Sequence, residues 1–400
     1  MWEEIKEATG TKEVIGQRGK LAVFRGPYDI TIEEYKLPEV KEDGILIKVE
    51  AASICGSDGH GVKMTPDEPC TIGHEFAGRI IAMGEKANES IYSFGGPLKV
   101  GDRIVPYPWI TCGTCPDCLE QGNGVCMICE NGFCYGGRDT MGTSKITASV
   151  EDAPHFKGGF AEYVYIFPGT YVWKIPEDMP STIASLLDPL AVAVRAVEMA
   201  QTEAGVPGES LNTSTQAVVI GAGAVGILTA MILKIQGCQK VIVTDFKKEK
   251  LQLAKEISGC DEVLDSSTMS LEERISKIRT LTGQGPHLVI QCANSTRASI
   301  EGLQMVRKLG TYIEVGVPFG FGEEFKIDLP RLAFSKNVRI NSLVANSPRV
   351  FHKAFHLLER HTKYPFFKLF THKFYCLEDL LPTIGKMGDS DYIKGIMILK

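Results

Sequence analysis

Residues 216–237, QAVVIGAGAVGILTAMILKIQG, read as an apolar strand, a glycine turn and a helix in immediate succession. Gly221, Gly223 and Gly226 fit the pattern G-x-G-x-x-G. The first glycine allows a tight turn, the second lets backbone approach a pyrophosphate, and the third lets helix and strand pack closely. With Ala224 and Val225 they open a helix whose N-terminus faces the phosphates. Alone the motif is weak. Its context makes it a dinucleotide cradle, because KVIVTD (240–245) follows as a second strand ending in Asp245. A carboxylate there accepts hydrogen bonds from the adenosine ribose and repels a 2′-phosphate, which favours NAD over NADP. Lys247 and Lys248 soften that preference. Asp245 can equally cap the next helix, and the two roles are compatible.

Strand and helix alternate downstream. EVLD (262–265), a charged helix over about 270–281, HLVIQCAN (287–294), a helix to Lys308, GTYIEVGV (310–317) and RINSLV (339–344) have the βαβ texture of a parallel sheet with covered faces. The tail, 346–400, is mixed: it holds a helix (VFHKAFHLLERH) and a last strand, GIMIL.

Upstream the texture differs. KLAVFR (20–25), ITIEEY (30–35) and GILIKVEAA (44–52) are short, β-rich and bounded by Gly, Pro and Asp. EFAGRIIAMG, GDRIVPYP and GFAEYVYI carry that pattern to Ile166, which predicts a partly open antiparallel barrel. Residues 85–98 and 135–158 read as irregular surface lobes.

Two metal signals lie in this half. The stretch from Cys55 to Glu75 holds Cys55, Ser57, Asp58, His60, His74 and Glu75. A thiolate with a neutral imidazole suits zinc, so Cys55 and His74 are read as catalytic ligands, with one position left for water or substrate. Cys112, Cys115, Cys118 and Cys126 follow as C-x2-C-x2-C-x7-C. Four converging thiolates close a tetrahedral ion, which makes this a structural site. Cys129 or Cys134 could replace Cys126, although the first four form the tighter cluster.

Length and composition fit this division. A chain of 400 residues exceeds one ordinary core, and 44% hydrophobic with 23% charged content supports a folded α/β interior. A net charge of -6 gives no reason to expect nucleic acid or anionic membrane as a partner. Twelve cysteines, with no export signal in MWEEIKEATGTKEV, point to metal binding in a cytoplasmic protein and away from disulfides. No apolar run reaches bilayer length.

CGSDGH, GHE, the four-Cys lobe, GGFAEYV and GAGAVG, in that order over residues 20–400, resemble the zinc-dependent medium-chain alcohol dehydrogenases. The resemblance is greatest to the polyol, threonine and secondary-alcohol branches. It implies an α/β fold: a GroES-like β-barrel catalytic domain (1–189), a Rossmann domain (190–344) and a C-terminal segment (345–400) returning to the first.

By position, Cys55 and His74 match the catalytic zinc ligands, and Glu75 matches an adjacent acid that can exchange with water. Asp188, in LLDPLAVAV, falls at the third-ligand place and is the candidate ligand, with a helix cap before Pro189 as the alternative. Asp58 resembles the carboxylate that orients the zinc-bound histidine. Ser57 matches the hydroxyl that bonds the alcohol, and His60 the residue that passes its proton to solvent. Asp245 and Lys250 resemble the pair on the adenosine ribose. Val315 and Val317 lie where backbone meets the nicotinamide amide, and Lys394 where a basic residue contacts the pyrophosphate. Gly56 departs from members that carry a basic residue there.

The resemblance implies zinc as Lewis acid, a proton path from Ser57 through the cofactor ribose to His60, and hydride transfer to NAD⁺. Trp109 and Tyr107 line the substrate pocket or pack as core. Two other readings are a zinc-free quinone or enoyl reductase and a non-catalytic NAD-binding protein. The strand RINSLV resembles the one that pairs across the family's dimer, which predicts a homodimer or homotetramer.

Overall fold

The structure is a computed structural model that describes residues 16–121, 129, 131–136, 149–201, 211–316 and 326–399. Strands β1 (Arg18–Gly26) and β2 (Asp29–Lys36) form an antiparallel hairpin, with β4 (Cys70–Thr71) on the free edge of β1. β3 (Ile45–Ser53) pairs antiparallel with β5 (Glu75–Met83), and this pair is the spine of the catalytic lobe. The reason is legible in their side chains. ILIKVEAAS is buried except at Lys48 and Glu50, as suits a central strand, whereas no residue of DITIEEYK in β2 is buried.

The eight-stranded sheet runs β18-β19-β3-β5-β7-β11-β6, and β10 (Tyr163–Ile166) also pairs with β3. Its remaining members are β6 (Tyr92–Phe94), β7 (Arg103–Pro106), β11 (Tyr171–Lys174), β18 (Phe370–Phe374) and β19 (Lys394–Ile398). The small pair β8 (Trp109–Ile110) and β9 (Phe133–Cys134) flanks the cysteine lobe.

One expectation is corrected here and another is extended. Residues 85–98 are not wholly irregular: they contain a helical turn, Ala87–Ser90, and β6, which pairs parallel with β11. Three residues beside Gly95 and Gly96 are too short for a period-2 signal, so only the tertiary partner defines them as a strand. In the mixed tail, FTHKF is a strand, β18, parallel to β19.

The second lobe is a six-stranded parallel sheet in the order β14-β13-β12-β15-β16-β17, from β12 (Gln216–Ile220), β13 (Lys240–Asp245), β14 (Glu262–Asp265), β15 (Leu288–Gln291), β16 (Thr311–Glu314) and β17 (Arg339–Ser342). This is the doubly wound order, with its switch point between β12 and β15, where dinucleotides bind.

Helix α1 (Gly56–Gly61) follows β3, α2 (Pro116–Gln121) lies in the cysteine lobe, and α3 (Leu187–Gln201) leads into the second sheet. Helices α4 (Ala224–Ile235), α5 (Lys248–Ser258), α6 (Leu271–Thr282) and α7 (Thr296–Met305) cover that sheet, and α8 (Pro348–Arg360) leads back. One core joins the lobes. Leu190 and Val194 of α3 and Phe351 and Phe355 of α8 share a buried cluster with Val105 and Tyr107 on one side and Val219 and Leu228 on the other. Among the described residues no helix is long and apolar enough to cross a membrane.

Candidate active site

The β3–β5 register builds the site. Ser53 lies opposite Glu75, so the chain leaving β3 and the chain entering β5 run side by side. Cys55 and His74 are thereby neighbours despite their separation in sequence. Ligand atoms of Cys55, His74 and Glu75 lie within 4.8 Å of one another. Asp58, in α1, accepts the Cys55 N–H through Oδ2 at 2.8 Å, and its Oδ1 lies 3.9 Å from His74 Nδ1. It therefore holds the Cys55 backbone and lies beside the His74 ring, the place expected of a carboxylate behind a metal-bound histidine.

Glu75 is buried and doubly held. Its Oε2 accepts the Ser53 hydroxyl and lies 2.5 Å from Lys394 Nζ. Lys394 also donates to the Ile54 carbonyl at 3.0 Å, and its side chain is 3% exposed. The expected contact with a pyrophosphate is thus corrected. β19 pairs antiparallel with β3, Ile396 opposite Ser53, and this register aims Lys394 at the metal cluster.

Asp188 sits in the first turn of α3, just before Pro189. Its charge acts on His74, but among the described residues its carboxylate is outside the group that converges within 4.8 Å. Asn346 holds it, donating from Nδ2 to Asp188 Oδ1 at 3.0 Å and to its carbonyl at 3.3 Å.

The electrostatics fit a divalent cation. Burial alone would lower the His74 pKa, yet Cys55, Asp58 and Asp188 hold it well above its ordinary value. Burial pushes Asp58 up to about 6 against the pull of His74. Burial also raises Asp188, with Glu75 adding to it and His74 opposing it. Acids crowd the cleft and Lys394 offsets only part of their charge. Surroundings that keep a proton on an imidazole in this way are those that stabilise a bound cation.

The residues expected on a proton path are partly accessible. Ser57 and His60 lie in α1 and are half-buried. His60 Nε2 accepts from the side-chain amide of Asn294 at 2.5 Å, which bridges α1 to the loop after β15. Burial, then Lys63, lowers the His60 pKa. Tyr107 is core: it is 1% exposed and its hydroxyl donates to the Asn346 carbonyl at 2.6 Å. Trp109 is half-buried in β8.

In the cysteine lobe, Cys112, Cys115, Cys118 and Cys129 place their sulfurs within 4.8 Å of one another. The Cys112–Cys118 and Cys115–Cys129 separations are both 4.0 Å. Zinc–sulfur bonds of about 2.3 Å at tetrahedral angles put sulfurs about 3.8 Å apart, so the cage fits zinc. The fourth position, assigned by spacing to Cys126, is taken by Cys129; Cys126 lies outside the described residues. Cys134 is in β9, and its thiol reaches the Tyr135 carbonyl instead. Backbone N–H groups of Cys112 and Cys115 donate to Cys129 and Cys112 sulfurs at 3.3 Å each. Bonds from Thr114 and Cys115 lower the Cys112 pKa to about 5, favouring the thiolate a metal needs.

The glycine turn also fits its group. Gly221 has φ +101, and a Cβ on Gly226 would lie 1.9 Å from the Gly221 carbonyl oxygen. At Gly223, the N-cap of α4, a Cβ would meet nothing within 4 Å. The closed positions shape the turn and the open one leaves room for phosphate. Ala224 and Val225 begin α4 beside it.

Asp245, at the end of β13, accepts the Ala222 N–H at 2.7 Å and the Lys247 N–H at 2.9 Å, so it braces the turn rather than capping α5, whose N-cap is Lys247. Lys250 is in α5, its pKa lowered by burial and raised in part by Asp245. Val315 follows β16 and gives its N–H to the Gln291 carbonyl at 2.9 Å. Val317 lies outside the described residues.

Asn346, Asn294 and Ser53 escaped the sequence reading. Asn346 left one trace, a polar residue between the apolar LV and the helix-starting SP.

Comparison with known proteins agrees with this geometry. Residues 41–177 match the alcohol dehydrogenase GroES-like domain family, and residues 224–360 match the zinc-binding dehydrogenase family. Sorbitol dehydrogenase of Bombyx mori is 29% identical over 305 residues, 74% of this chain and 76% of that protein. L-threonine 3-dehydrogenase of Bacillus subtilis is 29% identical over 312 residues, 76% and 78% of the two chains. The crystal structure of an alcohol dehydrogenase from Thermotoga maritima superposes with a TM-score of 0.81 at 24% identity, over 96% of this chain and 100% of that one. With both domains matched and both metal cages in place, the chain belongs to the zinc-type medium-chain alcohol dehydrogenases.

Proposed function

We propose that this NAD-linked zinc oxidoreductase oxidises a secondary hydroxyl of a small polyol or amino alcohol to the ketone. The supporting observation is the convergence of Cys55, His74 and Glu75 in a cleft bridged to the glycine-cradle lobe by His60 and Asn294. The similarity to a sorbitol dehydrogenase and an L-threonine 3-dehydrogenase supports this substrate class. A zinc-free reductase or a pure binding protein would need neither this cluster nor a proton path.

When bound between Cys55 and His74, zinc would supply Lewis acidity to an alcohol oxygen, and NAD⁺ would supply the hydride acceptor. The chain does the rest. Cys55 and His74, with Asp58 beside them, would hold the ion, and Glu75 or Asp188 would complete the set. Lys394 balances the Glu75 charge. Ser57 accepts the hydroxyl proton, and neutral His60 receives it for release to solvent. Gly223 and the α4 N-terminus would take the pyrophosphate, and Asp245 with Lys250 would take the adenosine ribose.

A homo-oligomer in the cytoplasm completes the reading. β17 is the last strand of its sheet, with Ile340 44% exposed, and an edge of that kind favours pairing with a second copy.

The test is zinc content with matched activity on wild type and Asp188→Ala, over a panel of polyols and amino alcohols. Wild type should hold zinc in both cages and reduce NAD⁺. One zinc falling away in Asp188→Ala, with activity, makes Asp188 the third ligand; retention of zinc and activity leaves that place to Glu75. A wild type without zinc in the cleft, or without alcohol turnover, sinks the proposal.

A further inference from the structure

Asn346 lies far from every motif, in the segment between β17 and α8. It is 1% exposed. Its Nδ2 bonds both the side chain and the carbonyl of Asp188. Its own carbonyl takes the Tyr107 hydroxyl at 2.6 Å. The segment is clamped as well: Arg195 of α3 donates from Nη1 to the Val344 carbonyl at 2.9 Å and the Ala345 carbonyl at 3.2 Å. Ala345 stands at φ +56, in the left-handed region that non-glycine residues avoid. One more feature stands out. Asn346 Oδ1 is buried and, among the described residues, has no hydrogen-bond partner. An orphaned acceptor costs stability, so packing alone does not account for an amide here.

We propose that Asn346 is a positioning residue of the metal centre, fixing the Asp188 carboxylate beside the Cys55–His74–Glu75 cluster. This rests on the zinc reading above. An aspartate in the first turn of a helix is free to swing toward the N–H groups of that turn. Tying Oδ1 to a clamped amide removes that alternative and leaves Oδ2 as the oxygen Asn346 does not hold. The amide also favours the ionised carboxylate, since Nδ2 only donates. Because Asn346 belongs to the segment leaving the nucleotide sheet, it couples the acid of one lobe to the placement of the other.

The experiment compares wild type, Asn346→Asp, Asn346→Ala and Tyr107→Phe as full-length protein. The readouts are zinc retention under chelator competition and the visible absorption of the cobalt-substituted enzyme. Asn346→Asp keeps the shape and removes the donor. Both Asn346 variants should weaken cleft metal binding about 10–100-fold and shift the cobalt bands, while the cysteine cage keeps its zinc. Tyr107→Phe, which leaves the amide intact, should retain metal as wild type does. Unchanged retention and cobalt bands in both Asn346 variants would overturn the proposal, whatever happens to turnover. Failure of both variants to fold would also overturn it, by making the residue structural. A wild type that holds no chelatable metal at Cys55 and His74 would instead sink the zinc reading itself.

Discussion

The two metal cages are built in opposite ways. The cysteine cage draws its ligands from one short stretch, 112–129, uses a single chemistry and leaves no open position. The cleft draws on the ends of β3 and β5, the first turn of α3, the segment before α8 and the strand β19. It mixes thiol, imidazole and carboxylates, and part of its charge is offset by a lysine from the far end of the chain. A closed, local cage stabilises; an open, dispersed one can exchange ligands and react. Stability and reactivity are therefore expected to separate between the two cages, and the separation can be tested.

The largest effect is expected from breaking each cage alone. Cys55→Ala should lower alcohol oxidation by about 10³-fold or more, given the several kcal/mol a Lewis-acidic metal provides, with little change in melting temperature. Cys118→Ser should do the reverse, losing the lobe's zinc and several degrees of melting temperature, with activity per folded molecule largely kept. Zinc analysis, calorimetry and NAD⁺ reduction on the same samples decide it. If both variants lose activity and stability together, the cages are not independent.

A smaller effect sharpens the same contrast within the glycine turn. Gly226→Ala drives a Cβ onto the Gly221 carbonyl and should cost about 1–3 kcal/mol of stability. Gly223→Ala should leave stability alone and weaken NADH binding, measured by fluorescence titration, because its Cβ enters only the open space. Equal loss of stability in the two would mean the turn has no open side.

The smallest concerns the proton path. Burial and Lys63 hold His60 below its ordinary 6.5, so the neutral, proton-accepting ring dominates at lower pH than usual. Turnover should therefore rise with pH along a limb centred below 6.5 and level off above it. His60→Ala should flatten that limb and lower turnover roughly 10-fold, less than the 10²–10⁴ of a base acting in the transition state itself. An unchanged profile would remove His60 from the path.

The legibility of each part follows its locality. The strand–turn–helix at 216–237 was readable because its signals are neighbours: strand, glycines, helix and the acid of the next strand fall within thirty residues. The cysteine lobe was readable for the same reason, and its uncertain member was the one at the end, where chain path rather than spacing chooses between Cys126, Cys129 and Cys134. Cys55 and His74 were legible as chemistry, since few partners other than a metal suit a thiol and an imidazole in such a motif.

Lys394 and Asn346 were not legible as site residues. A buried lysine–glutamate pair between residues 75 and 394 depends on β19 lying against β3, which no local pattern encodes. Asn346 depends on where a clamped crossing segment meets α3. By itself, then, the sequence determined the two lobes, the phosphate turn, the thiolate-rich cage and the first two ligands of the cleft, because propensity and spacing act over a few residues. Only the tertiary structure decided which carboxylates surround the metal, which cation balances them and which amide holds them, because charges buried in a low-dielectric interior find partners by proximity in space, without regard to separation along the chain.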